Sequence, residues 1–179
     1  MVISQQQQHH NHSINTEGVN FLALDFDQTI IDIHTGGRFK GSISDLSSHV
    51  RPMFIHLISA AHKAGIKIAI VTFSPQVNYI SQVLQIHFPN FYHEIIIRGR
   101  DDSWFYEGNG MKHGKQHYMA SAVEEIMTKN KSVVIARNTT LLIDDDPKNI
   151  QMALSDSVRG ILLDPEKSDL LIDDILDMP

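Results

Sequence analysis

Asp25 and Asp27 stand one residue apart at the end of an apolar run, in FLALDFDQTI (residues 21–30). Carboxylates at i and i+2 of an extended segment share a face, so both could address one substrate. One can attack a phosphorus atom and form an aspartyl-phosphate, while the other protonates the leaving oxygen. A second acidic group, Asp144, Asp145 and Asp146, follows another apolar run in LLIDDDPKN (141–149). Between the two, IVTFSP (70–75) offers the Thr72 hydroxyl and, near Ser74, backbone N–H groups at an expected helix N-terminus suited to a phosphate. In HGKQHYM (113–119), Lys115 opens an expected helix, and Gly114 before it suits a loop entering that helix; Lys112 is the competing lysine.

Such residues need a scaffold that brings them together. Val19–Leu24 reads as a buried strand and Ile66–Val71 as a second, with Glu94–Ile97, Leu141–Ile143 and Val158–Leu163 after them. Between the strands fall helical patterns: residues 50–64 with Pro52 in the first turn and Gly65 past the end, Pro75–His87, Lys115–Lys129 and Pro147–Leu154, and then a last helix over Ser168–Asp177. Alternating helices and nearly continuous apolar strands predict an α/β, doubly wound (Rossmann-like) parallel sheet of about five strands with helices on both faces. In such sheets the ligand crevice lies beyond the carboxyl ends of the strands, where all the polar oddities fall. Carboxylates gathered there repel strongly, so a positive group must sit between them or some must be protonated. All-oxygen ligands without cysteine suit Mg²⁺.

The four segments resemble, in order, the motifs of the haloacid dehalogenase (HAD) superfamily of phosphohydrolases. DFDQT is similar to the first motif, DxDxT; the strand ending in Thr72 to the second; Lys115 to the third; and IDDDPKN, with Asn149 at the usual spacing, to the fourth. The resemblance covers residues 19–165 and implies a role for each position. Asp25 is the nucleophile and a metal ligand. Asp27 is the general acid/base and lends its backbone carbonyl to the metal. Thr72 and Lys115 hold the phosphoryl group. Asp145 ligates Mg²⁺ directly and Asp144 through water. Asp146 receives no role beyond capping the helix that Pro147 begins. Response-regulator receivers use similar residues, but their acidic pair comes early and the phosphorylated Asp later, the reverse of the order here.

Only residues 30–49 separate the first motif from the next helix, with Gly36 and Gly37 as the expected hairpin tip of a small flap. The second place where relatives insert a cap offers only residues 98–114. Neither can build an independent core. The chain is therefore expected to lack a cap, most similar to the magnesium-dependent phosphatase-1 group and more distantly to the polymerase-tail serine phosphatases. An open site admits a phosphorylated protein side chain, with small phosphomonoesters also cleaved. The alternatives are a small-molecule (sugar or nucleotide) phosphatase whose site a second subunit covers, a phosphoryl transferase, and a catalytically idle binding module on the same scaffold. His34, Arg38, Lys40, Arg98 and Arg100 are candidates for substrate contact; Trp104, Phe105 and Tyr106 form either a platform or part of the core.

Composition bounds these readings. The 179 residues are 42% hydrophobic and 20% charged, ordinary for one soluble domain. No cysteine is present, which removes disulfides, thiolate metal sites and thiol nucleophiles. A net charge of −6 argues against a nucleic-acid partner. No membrane span and no secretory pattern is expected, so the location is read as cytoplasmic. Residues 1–17, rich in Gln and His, are expected to be a disordered tail, and His9, His10 and His12 are set aside from the site. The catalytic domain is then residues 18–179.

Overall fold

A computed structural model of the chain describes residues 18–167; the expected tail (1–17) and last helix (168–177) lie outside the described residues. Five parallel strands, β1 (Phe21–Leu24), β2 (Lys67–Val71), β3 (Ile96–Arg98), β4 (Thr140–Asp144) and β5 (Arg159–Leu162), form one sheet in the order β3-β2-β1-β4-β5. The central strand is thus the one that ends in Asp25, flanked by the strands that end before Thr72 and at Asp144.

Strand residues alternate between two cores. Leu22, Leu24, Ile68, Ile70, Leu141 and Ile143 face the helices α1 (Ile43–Ser48), α2 (Pro52–Lys63) and α3 (Val77–His87). Phe21, Ala23, Ala69, Val71 and Leu142 face α4 (Gln116–Lys129) and α5 (Pro147–Ser155). Because both faces are covered, the strands read as continuous apolar runs rather than alternating ones. The fold is the doubly wound, Rossmann-type α/β sheet that the alternation of strands and helices predicted, with no large cap among the described residues.

Local chemistry sets the element ends. Pro52 sits in the first turn of α2, where its missing N–H costs nothing. Ser42 caps α1 by accepting from the Asp45 N–H at 3.0 Å, and Asp146 caps α5 by accepting from the Lys148 N–H at 2.9 Å. Asp146 therefore has the capping role expected of it. Gly114 has a φ of +58, and the left-handed turn there delivers the chain into α4 immediately after Lys115.

Three local expectations need correction. The flap holds a one-and-a-half-turn helix, α1, rather than two hairpin strands, because Ser42 and Asp45 supply a helix start that the glycine pair drew attention away from. Gly36 and Gly37 do form a left-handed turn, with φ of +62 and +70. The helix expected from Pro75 begins at Val77, after a turn. The third strand is shifted to Ile96–Arg98, since a single 3₁₀ turn occupies Tyr92–Glu94.

Candidate active site

The carboxyl ends of β1, β2 and β4 open onto a cleft of about 370 Å³ lined by Asp25, Asp27, Thr72, Ser74, Lys115, Asp144, Asp145 and Asp146, together with His34, Phe73, Arg100 and Asn149. All seven expected site residues share this one cleft. Lys112 is exposed and outside it, whereas Lys115 is 1% exposed and lines it.

Asp25 follows β1, with its N–H held by the Ile143 carbonyl of β4 at 3.0 Å. Its Oδ1 accepts from Lys115 Nζ at 2.5 Å and its Oδ2 from the Thr29 hydroxyl at 3.0 Å. Lys115 Nζ also donates to Asp144 Oδ2 at 2.7 Å. Burial pushes the Asp25 carboxyl up to about 6, and Asp145 adds to the rise, against the pull of the Lys115 ammonium. Asp144 rises for the same reasons, burial first and then the charge of Asp25. Burial alone would lower Lys115, but the two carboxylates outweigh it and raise the ammonium above its ordinary range.

Carboxylate oxygens of Asp25, Asp144 and Asp145 lie within 4.8 Å of one another. Their commitments differ. Both oxygens of Asp144 are engaged, one by the Asp146 N–H at 2.9 Å and one by Lys115 and by Asn149 Nδ2 at 3.0 Å. Asp145 is held by the Thr29 hydroxyl at 3.2 Å. A hard, all-oxygen donor set that carries more negative charge than its lysine neutralises fits Mg²⁺.

Asp27 turns its carboxylate to the flap. Its Oδ2 accepts from the Thr35 N–H at 3.0 Å and the Gly36 N–H at 3.1 Å, and the Thr35 hydroxyl lies 2.8 and 2.9 Å from the two oxygens. The flap is tied down twice more. Gln76 grips the backbone of Phe39 from both sides, donating to its carbonyl at 2.9 Å and accepting from its N–H at 2.7 Å. Gly37 packs so closely on Pro75 that a Cβ there would come within 2.6 Å of the proline Cδ. On the other flank Arg51 Nε donates to the Thr29 carbonyl at 3.0 Å, and Gln28, directly after Asp27, adopts a left-handed φ of 59°. A non-glycine residue held there costs about 1 kcal/mol, offset by the contacts that fix the turn.

Thr72 and Ser74 line the cleft, but Ser74 differs from expectation. Its N–H donates to Thr72 Oγ1 at 3.1 Å and its hydroxyl accepts from the Gln76 N–H at 3.1 Å, so the turn feeding α3 satisfies itself. Thr72 Oγ1 donates to no other group among the described residues. Of the residues expected to contact substrate, His34 and Arg100 line the cleft, whereas Arg38 and Lys40 are exposed outside it. Arg98 is spent internally on Ser121 at 3.0 Å and Glu125 at 3.2 Å. Trp104 packs against Tyr118 and donates to the Gly99 carbonyl at 2.7 Å, so it belongs to the core, while Phe105 is exposed. Sequence reasoning missed Thr29, Thr35 and Phe73. Thr29 was legible as the T of DxDxT; Phe73, half-exposed inside an apolar run, left no signal.

No family model and no curated protein matches the chain. Solved structures do. The HAD domain of the effector protein Lem4 from Legionella pneumophila is similar at TM-score 0.55 and 20% identity, over 89% of this chain and 96% of that one. An uncharacterized protein from Corynebacterium glutamicum is similar at TM-score 0.53 and 16% identity, over 90% and 97%. A hypothetical protein from Xanthomonas campestris gives TM-score 0.53 and 15% identity, over 92% and 75%. At such identities the likeness speaks for the architecture: this chain has the HAD-type fold.

Proposed function

We propose that the protein is a Mg²⁺-dependent phosphomonoester hydrolase that works through an aspartyl-phosphate on Asp25. The observation that carries this reading is the meeting of Asp25, Asp144 and Asp145, the first two paired to the buried Lys115, in a cleft that also presents Thr72 and Asp27. Asp25, Asp145, Asp144 and the Asp27 carbonyl would hold the ion, which would supply charge neutralisation and Lewis-acid polarisation of the phosphoryl oxygens.

The chain's own groups do the rest. The Lys115 ammonium and the Thr72 hydroxyl hold the phosphoryl oxygens. A carboxylate oxygen of Asp25 attacks phosphorus, and the bond to the leaving oxygen breaks as Asp27 gives that oxygen a proton. Asp27 then takes a proton from the water that attacks the same phosphorus, releasing inorganic phosphate and restoring Asp25. Fixed donors and cations placed before substrate arrives do not have to reorganise during the step.

The absence of a cap among the described residues favours a large substrate, a phosphorylated protein side chain, with small phosphomonoesters also cleaved. Hydrolysis of para-nitrophenyl phosphate with Mg²⁺ tests the chemistry. Turnover should vanish in Asp25→Asn and on chelation of the metal. Wild-type rates in Asp25→Asn would remove the nucleophile assignment. A panel of phosphopeptides against sugar and nucleotide phosphates then sorts the substrate class.

A further inference from the structure

The mouth of the cleft carries a cation that the chemistry above does not use. Arg100 lines the cleft from the loop after β3, opposite the acidic groups contributed by β4. Its backbone is fixed, with its N–H donating to the Ser74 carbonyl at 3.0 Å. Gly99 allows this approach, because a Cβ there would meet that same carbonyl oxygen at 2.6 Å. The guanidinium rests over the Phe73 ring, 5.7 Å from its centroid, and Lys115 Nζ lies 5.3 Å from the same centroid. Phe73 is itself 39% exposed at the cleft, within reach of two cations and braced edge-on by Tyr118 at 5.5 Å.

Arg100 does not serve to balance the acids. Among the described residues it forms no ion pair, although five carboxylates line the same cleft, whereas its near neighbour Arg98 is fully engaged. A guanidinium parked on an aromatic ring keeps its in-plane N–H donors free, and these suit an oxyanion that approaches edge-on. We infer that Arg100 reads a second anionic group on the leaving group of the substrate, with Phe73 as the surface on which the intervening apolar or aromatic segment lies. The substrate class is then a phosphomonoester whose leaving group carries a carboxylate or a further phosphate beyond a flat apolar spacer. An aromatic phosphate in an acidic segment and a small phosphorylated aryl acid share that chemistry.

This assignment rests on the phosphohydrolase reading and is tested separately from it. Phenyl phosphate and 4-carboxyphenyl phosphate share a reacting group and a ring and differ in the second anion. The wild-type chain should favour the carboxylated ester in kcat/KM by about fivefold to tenfold at low salt, the scale of one well-formed charged contact. In Arg100→Gln that ratio should fall toward one, and in Arg100→Lys it should be partly restored. Phe73→Leu should weaken both esters. A ratio that Arg100→Gln leaves at its wild-type value would overturn the inference, and equal losses for the two esters would place Arg100 on the reacting phosphate instead. Calorimetric binding of the two esters to Asp25→Asn with Mg²⁺ gives the same ratio without turnover. An inert wild-type chain would thus count against the hydrolase, while the binding ratio would still decide the role of Arg100.

Discussion

Lys115 Nζ meets Asp25 Oδ1 at 2.5 Å across a separation of 90 positions in the chain, and the same ammonium lies 2.7 Å from Asp144. One buried cation thus joins the first and last acidic segments of the fold. It holds Asp25 at the end of the central strand and partly offsets the repulsion that crowding creates.

Lys115→Met keeps the length of the side chain and removes the charge. Uncompensated buried carboxylates remain, so the metal-free protein should lose about 3–5 kcal/mol, the scale seen when one partner of a buried pair is deleted. The loss should shrink at pH 5, where the Asp25 carboxyl, raised to about 6, can protonate. Denaturant melts at pH 5 and pH 7.5 check this; a deficit of equal size at both would mean that the ammonium is not balancing those acids.

Magnesium should stabilise the protein in a pH-dependent way. Burial raises Asp25 from the ordinary 3.8 to about 6, and Asp144 moves in the same direction. A carboxyl raised on folding stabilises the metal-free fold below its unfolded value, and that contribution is lost as pH climbs through its folded value. The raised Lys115 titrates in the alkaline range and leaves this window untouched. Mg²⁺ competes with the proton on Asp25, so the ion should raise Tm more at pH 7.5 than at pH 5. Thermal scans with and without MgCl₂ measure the difference, and a metal effect independent of pH would contradict it.

Thr35 positions Asp27. Its hydroxyl lies against both carboxylate oxygens, and valine preserves its shape without that donor. Thr35→Val should cost about 1 kcal/mol of stability and lower kcat about tenfold. The loss should be greater for an alkyl phosphate than for para-nitrophenyl phosphate, whose leaving group needs no proton. Equal losses with the two esters would show that Thr35 has no bearing on proton transfer.

Gly36 and Gly37 provide a matched pair. Both have positive φ, but a Cβ at Gly36 meets nothing closer than 3.9 Å, while one at Gly37 runs into Pro75 at 2.6 Å. Gly36→Ala should lose about 1 kcal/mol from backbone strain alone. Gly37→Ala should lose more and also raise KM, because the flap must lift from the Pro75 turn. Similar Tm values for the two variants would remove the contact from the account.

The sheet and the cleft were legible because the signals were local and repeated. Apolar runs ended in polar residues at three places, acidic at Asp25 and Asp144 and hydroxyl-bearing at Thr72, and parallel packing left those ends nowhere to go but one edge. The choice of Lys115 over Lys112 followed from a glycine that introduces a helix. What stayed hidden was set by contacts distant in sequence. Arg98 and Arg100 look alike in RGR, yet the first is claimed by Ser121 and Glu125 on α4 and the second faces the cleft. Of the backbone N–H groups near Ser74 expected to suit a phosphate, that of Ser74 itself is taken by Thr72 Oγ1 two residues away. The Gln76 grip on Phe39 joins two loops whose sequences carry no mark of each other.

The triple fastening of the flap, through Asp27, Gln76 and Pro75, makes the entrance a fixed aperture rather than a door. Specificity at such an aperture is written into the side chains around the rim, and selection could reshape it by exchanging one or two of them without disturbing the groups behind.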